Sequence, residues 1–562
     1  VRYLYSSLFV LCAVLGVQAQ DLGQLQSPGR PALSGNIQLS SQAYQSSGEG
    51  LARSAPFGVA LSGGLTASFA GISIPITFSF AQQQGALSSP FNQFGMSPYY
   101  KWAKLHLGYR TLRLSPYVFS GRSFLGAGIE LTPGKFKVIA FRGRMRNLLS
   151  VQPALGIEGP VVLPSYERMA SGAKVGYGGP KAGVDISAAF LQDRREGAAD
   201  STFLPPMENL VLGVHFYARF FRRLRLEANI AGSAFTPNQQ AGFEEALPQE
   251  LERYGLLLSP NISTRASWAG DASLSYNHRG VSVGLKYQQV APFFQSFGIN
   301  FLQNDVENYT INFAAPLLGK RLRLQGSLGI QRDNLNEAKA FQSQRVIGAF
   351  SAAWHSGQRL HLMARYANYQ HENRSGLVNI NDTLQFVTIT QHAFAGGQWK
   401  AFERGPLSGS LQLNGFFNDI VNESLVLNGA ADFSGHGASG SFTLRHETMG
   451  WNLGPVFNYH HYLYPGRKQG RTGGGLSAGQ SLFGKKLQVA LSALYNLNRT
   501  NGERSERQLN LSAQINARLK GGHGIRLRTF FLNRAPEGGE GFRESRALLA
   551  YQYSFHTPKP KQ

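Results

Sequence analysis

Gly475-Leu476-Ser477-Ala478-Gly479 has the G-x-S-x-G spacing of a nucleophile elbow. That turn needs a strand, a sharp bend and a helix, so that the serine hydroxyl stands clear of the sheet. Here the pentapeptide runs into a tight turn, Gly484-Lys485-Lys486, and then an alternating segment from Leu487. Small residues within a strand account for it. The overlapping Gly479–Lys486 stretch falls short of a P-loop: Lys486 stands where the magnesium-binding hydroxyl belongs, and no helix follows. His460 and His461 are adjacent, and neighbours on a strand point to opposite faces. His106, His215, His355 and His361 are scattered, with no H-E-x-x-H. No pair of carboxylates stands out as an acid and base. The sequence predicts no catalytic residue, no metal set and no cofactor.

The arginines carry a clearer pattern. Arg219, Arg225, Arg323, Arg365, Arg445 and Arg518 all fall on the non-apolar face of alternating segments. Such a face can line a water-filled interior, and charges there would favour anions. The chain holds 55 Lys and Arg against 32 Asp and Glu, a net charge of +23. No basic stripe, helix-turn-helix, zinc module or aromatic-basic platform accompanies that charge, so a nucleic-acid partner is not expected.

The elements that position these residues are strands. Leu210, Leu212, Val214, Phe216, Ala218 and Phe220 oppose Gly213, His215, Tyr217 and Arg219. Similar period-2 patterns recur around Leu224–Ile230, Tyr309–Phe313, Leu322–Ile330, Leu487–Leu497 and Leu509–Ala517. They last about 9–13 residues, which matches a tilted bilayer crossing better than the usual globular strand. Tight turns such as Thr132–Lys135, Phe221–Arg223, Asn277–Gly280 and Lys520–His523 alternate with longer polar loops. That regularity breaks near 102–170 and 419–470. The fold class expected is all-β: one large transmembrane antiparallel β-barrel of about 22–26 strands, with short periplasmic turns and longer extracellular loops.

Val1–Ala19 reads as a secretory signal peptide: Arg2, an apolar run from Leu8 to Gly16, and Val17-Gln18-Ala19 before the cut. Cys12, the single cysteine, lies inside it, so the exported chain would carry no disulfide. A polar lead over 20–31, a barrel over 32–555 and a periplasmic tail over 556–562 complete the expected organisation.

Phe91–Trp102, His106–Arg110, Ser115-Pro116-Tyr117 and Gly121–Phe136 together resemble a poorly characterised, porin-like group of outer-membrane β-barrel proteins of Bacteroidetes-type bacteria. The resemblance implies a Gram-negative outer-membrane location and a barrel fold, and carries over no catalytic residue. The last strand, with Tyr551, Tyr553 and Phe555 alternating, is similar to the signal read by the barrel assembly machinery, although seven residues follow Phe555. Its expected pairing partner lies within Ala32–Tyr44.

The leading expectation is a non-enzymatic outer-membrane channel for passive passage of small polar or anionic solutes, with outer-membrane lipid around it. Pro237–Asn261 is the expected constriction. A second reading is a non-conducting component of a secretion, surface-attachment or assembly complex, with protein partners on the extracellular loops. A third is an outer-membrane hydrolase.

Overall fold

A computed structural model describes residues 31–48, 53–82, 93–146, 166–194, 205–242, 258–300, 302–338, 341–375, 386–422 and 432–557. The expected signal peptide with Cys12 lies outside them, as do most of the tail and of Pro237–Asn261.

Alternation builds the wall. In the strand Glu208–Phe220, Leu212, Val214, Phe216 and Phe220 are exposed on one side, while Asn209 and Val211 are fully buried on the other. Leu322–Asp333 is equally regular, with Leu328 and Ile330 exposed on its apolar side. Leu491, Leu511, Leu549 and Tyr551 continue that exposed apolar surface. The opposite side faces chain segments enclosed by the sheet, so it is the interior.

Each strand pairs antiparallel with the next in sequence, and the last pairs with the first. Phe542–His556 lies against Ala32–Gly48, with Tyr551 opposite Leu39, Tyr553 opposite Ile37 and Phe555 opposite Gly35. The expected closing pair is therefore formed, and the ring leaves no open edge. The sheet contains 27 strand segments, but Gln93–Met96 and Tyr99–Tyr100 are two halves of one strand interrupted at Ser97-Pro98. Both halves sit between Ile72–Gln82 and Ala103–Thr111. Proline supplies no N–H to a ladder. Here the Ser97 amide donates to the Pro75 carbonyl at 2.9 Å, and the Pro98 carbonyl accepts from the Leu105 amide at 2.9 Å. The ring thus has 26 strands (27 − 1). An even number follows from a meander whose first and last strands meet antiparallel.

Both ends of the described chain lie at one rim. All connections at that rim are two to four residues long. Arg279-Gly280 shows how such a turn is made: φ is positive at both residues, 49° and 87°. That suits a type I′ hairpin, for which glycine at the second position has no steric penalty. At the other rim connections run up to 237–264, with two exceptions of two residues each, 465–466 and 501–502.

These details account for the irregularities expected near 102–170 and 419–470. Residues 112–122 leave the wall and fold inward instead of adding a hairpin. Trp451–Tyr464 and Arg467–Leu482 are joined by a two-residue turn on the long-loop rim, where length gives no cue. The last strand runs one residue past the expected barrel end, to His556.

Candidate functional site

Two loop segments enter the barrel. The first is 112–122, in which Leu114, Val118 and Phe119 are at most 1% exposed. The second is 291–305, which brings Phe294 and Phe297 into the same core. Val211, Ala231 and Ala269 meet them from the interior faces of three wall strands. The Phe119 ring lies tilted against Phe141, with centres 4.5 Å apart, and Phe141 stacks on Phe124 at 4.6 Å. Gly213 lets the loop approach: a Cβ there would stand 2.6 Å from Val118 Cγ2.

Loops carry backbone polar groups that must be satisfied inside a core. Ser296 Oγ donates to the Val118 carbonyl at 3.1 Å, and the Ser120 amide donates to Gly298 at 2.8 Å. Asn209 holds 291–305 to the wall: its Nδ2 donates to the Gln295 carbonyl at 3.1 Å, and its Oδ1 accepts the Phe297 amide at 3.1 Å. Lys174 reaches from the wall to the Leu114 carbonyl at 2.7 Å and to Asp185 at 2.8 Å. Tyr117 crosses to the far side of this core, accepting from Gln288 Nε2 at 3.1 Å. Burial pushes its phenol pKa up, and Asp271 beside it adds to the rise.

Several charges in this sector are paired, while Arg122 donates to the Ile299 carbonyl at 3.1 Å. Arg168 Nε and Nη2 donate to the two oxygens of buried Asp193 at 2.7 and 2.8 Å, and its guanidinium lies 3.6 Å from the Phe297 ring centre. Arg146 adds a third contact to Asp193 at 3.3 Å. His215 links Asp185 and Glu227, at 3.2 Å to each, and Arg225 meets Glu227 at 2.8 Å. Glu307 pairs with Arg332 and accepts from Tyr287 at 2.8 Å.

The arginines singled out by alternation do not form a mid-barrel ring. Arg219 and Arg225 lie directly opposite each other beside the 221–223 turn. Arg323, Arg445 and Arg518 also sit within two residues of short turns. Arg365 is deeper, and with Lys286 and His392 it lines a cavity of about 1060 Å³. A further group escaped the sequence reading. Arg526, Arg528 and Arg546 occupy interior positions on His523–Pro536 and Phe542–His556, opposite Asn516, Gln514 and Phe530 respectively. The signal was available in Ile525-Arg526-Leu527-Arg528, which alternates as cleanly as the segments that were used.

Residues 243–257 of the expected constriction lie outside the described residues. Leu258, near the end of the 237–264 loop, packs on Leu210, Ala234 and Phe190, which share the outward parity of their strands. Among the described residues, those that enter the lumen core belong to 112–122 and 291–305.

Ser477 lies within the continuous strand Arg467–Leu482 and donates to the Gly454 carbonyl at 3.3 Å. A strand and turn follow it, without the helix of a nucleophile elbow. His460 and His461 diverge as expected: one lies tilted against Phe416, the other against His436. His355 and His361 approach at 2.6 Å between their Nδ1 atoms. Among the described residues no three metal-ligating side chains converge. Tyr551, Tyr553 and Phe555 lie on the outward face of the closing strand, where Tyr551 meets His523 at 2.6 Å.

No protein family matches the sequence, and no curated protein matches it. Solved outer-membrane barrels do match in structure. Pseudomonas aeruginosa OccK9 (OpdG) shares 14% identity over 69% of this chain and 98% of its own, at a TM-score of 0.31. The P pilus usher (PapC) translocation pore shares 10% over 92% and 99%, at 0.36. Pseudomonas aeruginosa OprD shares 8% over 67% and 95%, at 0.31.

Proposed function

We propose that this protein is an outer-membrane channel for passive passage of small polar solutes, anionic ones among them. The observation that carries the reading is the closed ring itself, apolar outside and polar or basic within, narrowed by two inward-folded loops. Twenty-six strands exceed the 16–18 that already leave an aqueous channel in porins. Such a lumen needs internal chain to become selective, and 112–122 with 291–305 supply it. The short-turn rim faces the periplasm in this reading, after export directed by 1–19. The barrel assembly machinery would read the strand bearing Tyr551, Tyr553 and Phe555. Grouping with Bacteroidetes-type barrels rests on the motifs within 91–136.

Planar-bilayer conductance tests the proposal. A stable open channel is expected, with partial occlusion lifted when Phe119 and Phe294 are replaced by alanine. A purified, folded barrel that never conducts, in wild type or variant, overturns it. Membrane placement has its own test. Leu491→Arg puts a charge on the outward face and should cost about 2–4 kcal/mol near the bilayer midplane. Ser492→Arg, one residue along and facing inward, should cost far less. Equal costs would remove the assignment of the apolar side to lipid.

The apolar core on the inner wall favours a second reading, a non-conducting component of a membrane complex. Constant co-purification with fixed partners and no conductance would support it.

A further inference from the structure

We infer that the wall formed by the last three strands carries a binding track for small solutes bearing carboxylate or phosphate groups. This inference rests on the channel reading and names its site and ligand chemistry.

The track is built from Arg518, Arg526, Arg528 and Arg546. All four face the interior, on Glu503–Arg518, His523–Pro536 and Phe542–His556. Arg518 lies opposite Gly524 at the short-turn rim, and Arg546 lies opposite Phe530. Six residues of strand separate those two levels, about 20 Å at ~3.4 Å per residue. Guanidinium groups therefore recur along much of the passage.

Among the described residues, no carboxylate neutralises any of the three upper arginines. Arg526 Nε donates to Asn516 Oδ1 at 3.0 Å, Arg528 Nε to Gln514 Oε1 at 2.9 Å, and Arg546 Nη2 to Gln42 Oε1 at 2.6 Å. Each contact uses one N–H and leaves the rest of a five-donor fork free. The amides fix the side chains without cancelling their charge. Glu506 and Glu544 are the interior carboxylates of these three strands, and each already meets another arginine: Glu506 with Arg534 at 2.5 Å, Glu544 with Arg53 at 3.6 Å. Both lie toward the long-loop rim, above the track.

Position adds to charge. The loops buried in the lumen pack on wall strands between Ser123–Leu131 and Val306–Leu317. Counted round the ring, the track lies roughly half-way from the centre of that sector. A solute skirting the inner core is directed toward the arginines. Planar forks on a low-dielectric wall suit two-point contact with carboxylate or phosphate oxygens.

The test is a reversal-potential measurement in a KCl gradient, with succinate and inorganic phosphate as competing anions. Wild type should favour chloride, and both probes should reduce the chloride current. The triple variant R526Q/R528Q/R546Q should lower the chloride-to-potassium permeability ratio by roughly threefold or more and lose the competition. The charge-matched rim variant R219Q/R225Q/R323Q should move the ratio less than half as far. An unchanged ratio in the triple variant, or an equal change at the rim, overturns the track. If the triple variant fails to assemble, R528Q alone is read in the same way, with a proportionately smaller shift. A wild-type barrel that does not conduct overturns the channel reading separately. Phosphate titration of the purified barrel then tests the track directly: binding lost in the triple variant supports it, and binding unaltered or absent in wild type refutes it.

Discussion

The two sides of this barrel are made from the same kind of strand and end in different interiors. Between Leu112 and Val306 the inner wall is covered by chain that left the ring and came back to it. There Arg168 and Arg146 are held by buried Asp193, and Lys174 by Asp185. Between Leu487 and His556 the inner wall keeps Ser, Asn, Gln and Arg facing the lumen, with Arg526 and Arg528 anchored to amides alone. The difference teaches that a luminal arginine has two uses. Dehydrated beneath a loop, it must be paired, because an isolated buried charge is very costly. Left in a wet passage, it stays available to a solute.

The largest effect is expected where pairing is deepest. Asp193 is buried and takes contacts from Arg168, Arg146 and the Met207 amide. Asp193→Ala removes the shared acceptor and leaves a largely dehydrated Arg168 without a counter-charge. Unfolding in urea from lipid vesicles should show a loss of about 3–5 kcal/mol. A loss below about 1 kcal/mol would mean that water reaches this sector freely, and the contrast between the two sides would collapse.

Next come two phenylalanines on interior surfaces. Phe119 is fully buried, whereas Phe530 is 38% exposed. Phe119→Ala should cost about 3–5 kcal/mol, as large truncations in packed cores do. Phe530→Ala, with water already beside its ring, should cost less than about 1.5 kcal/mol. Comparable losses would show that the wall by Phe530 is also covered, and would sharpen where the passage runs.

Much of the wall was legible in the sequence because a strand's two faces are a local property. Leu212, Val214 and Phe216 declare their side without reference to any distant residue, and so do Tyr551 and Tyr553. The short turns were legible for the same reason: Arg279-Gly280 needs only its own backbone preferences. The inward loops were not. Leu112, Leu114, Tyr117 and Phe119 change parity between 114 and 117, and their burial depends on 291–305. Ser296 meets Val118 across 178 residues of sequence. No local pattern encodes that meeting. The arginines fall between these cases. Alternation gives the face of Arg219 or Arg528, but whether an acid neutralises it depends on which strand lies alongside. Arg225 has Glu227 two residues away, while Arg168 finds Asp193 only through pairing with Ala182–Arg194.

The smallest expected effect is the most discriminating. Arg168→Gln and Arg528→Gln remove one charge each from interior faces of the same ring. Arg168→Gln leaves Asp193 buried beside one remaining cation, partly exposed Arg146, so a loss approaching that of Asp193→Ala is expected. Arg528→Gln removes a guanidinium held by a single amide contact in a wet lumen, and stability should stay within about 0.5 kcal/mol. Its cost should instead appear in ion selectivity. If Arg528→Gln destabilises the barrel as much as Arg168→Gln does, Arg528 is a structural cation whose partner forms only in the membrane. A variant that keeps its stability and loses anion preference would assign the charge to solutes, because nothing in the fold would then depend on it.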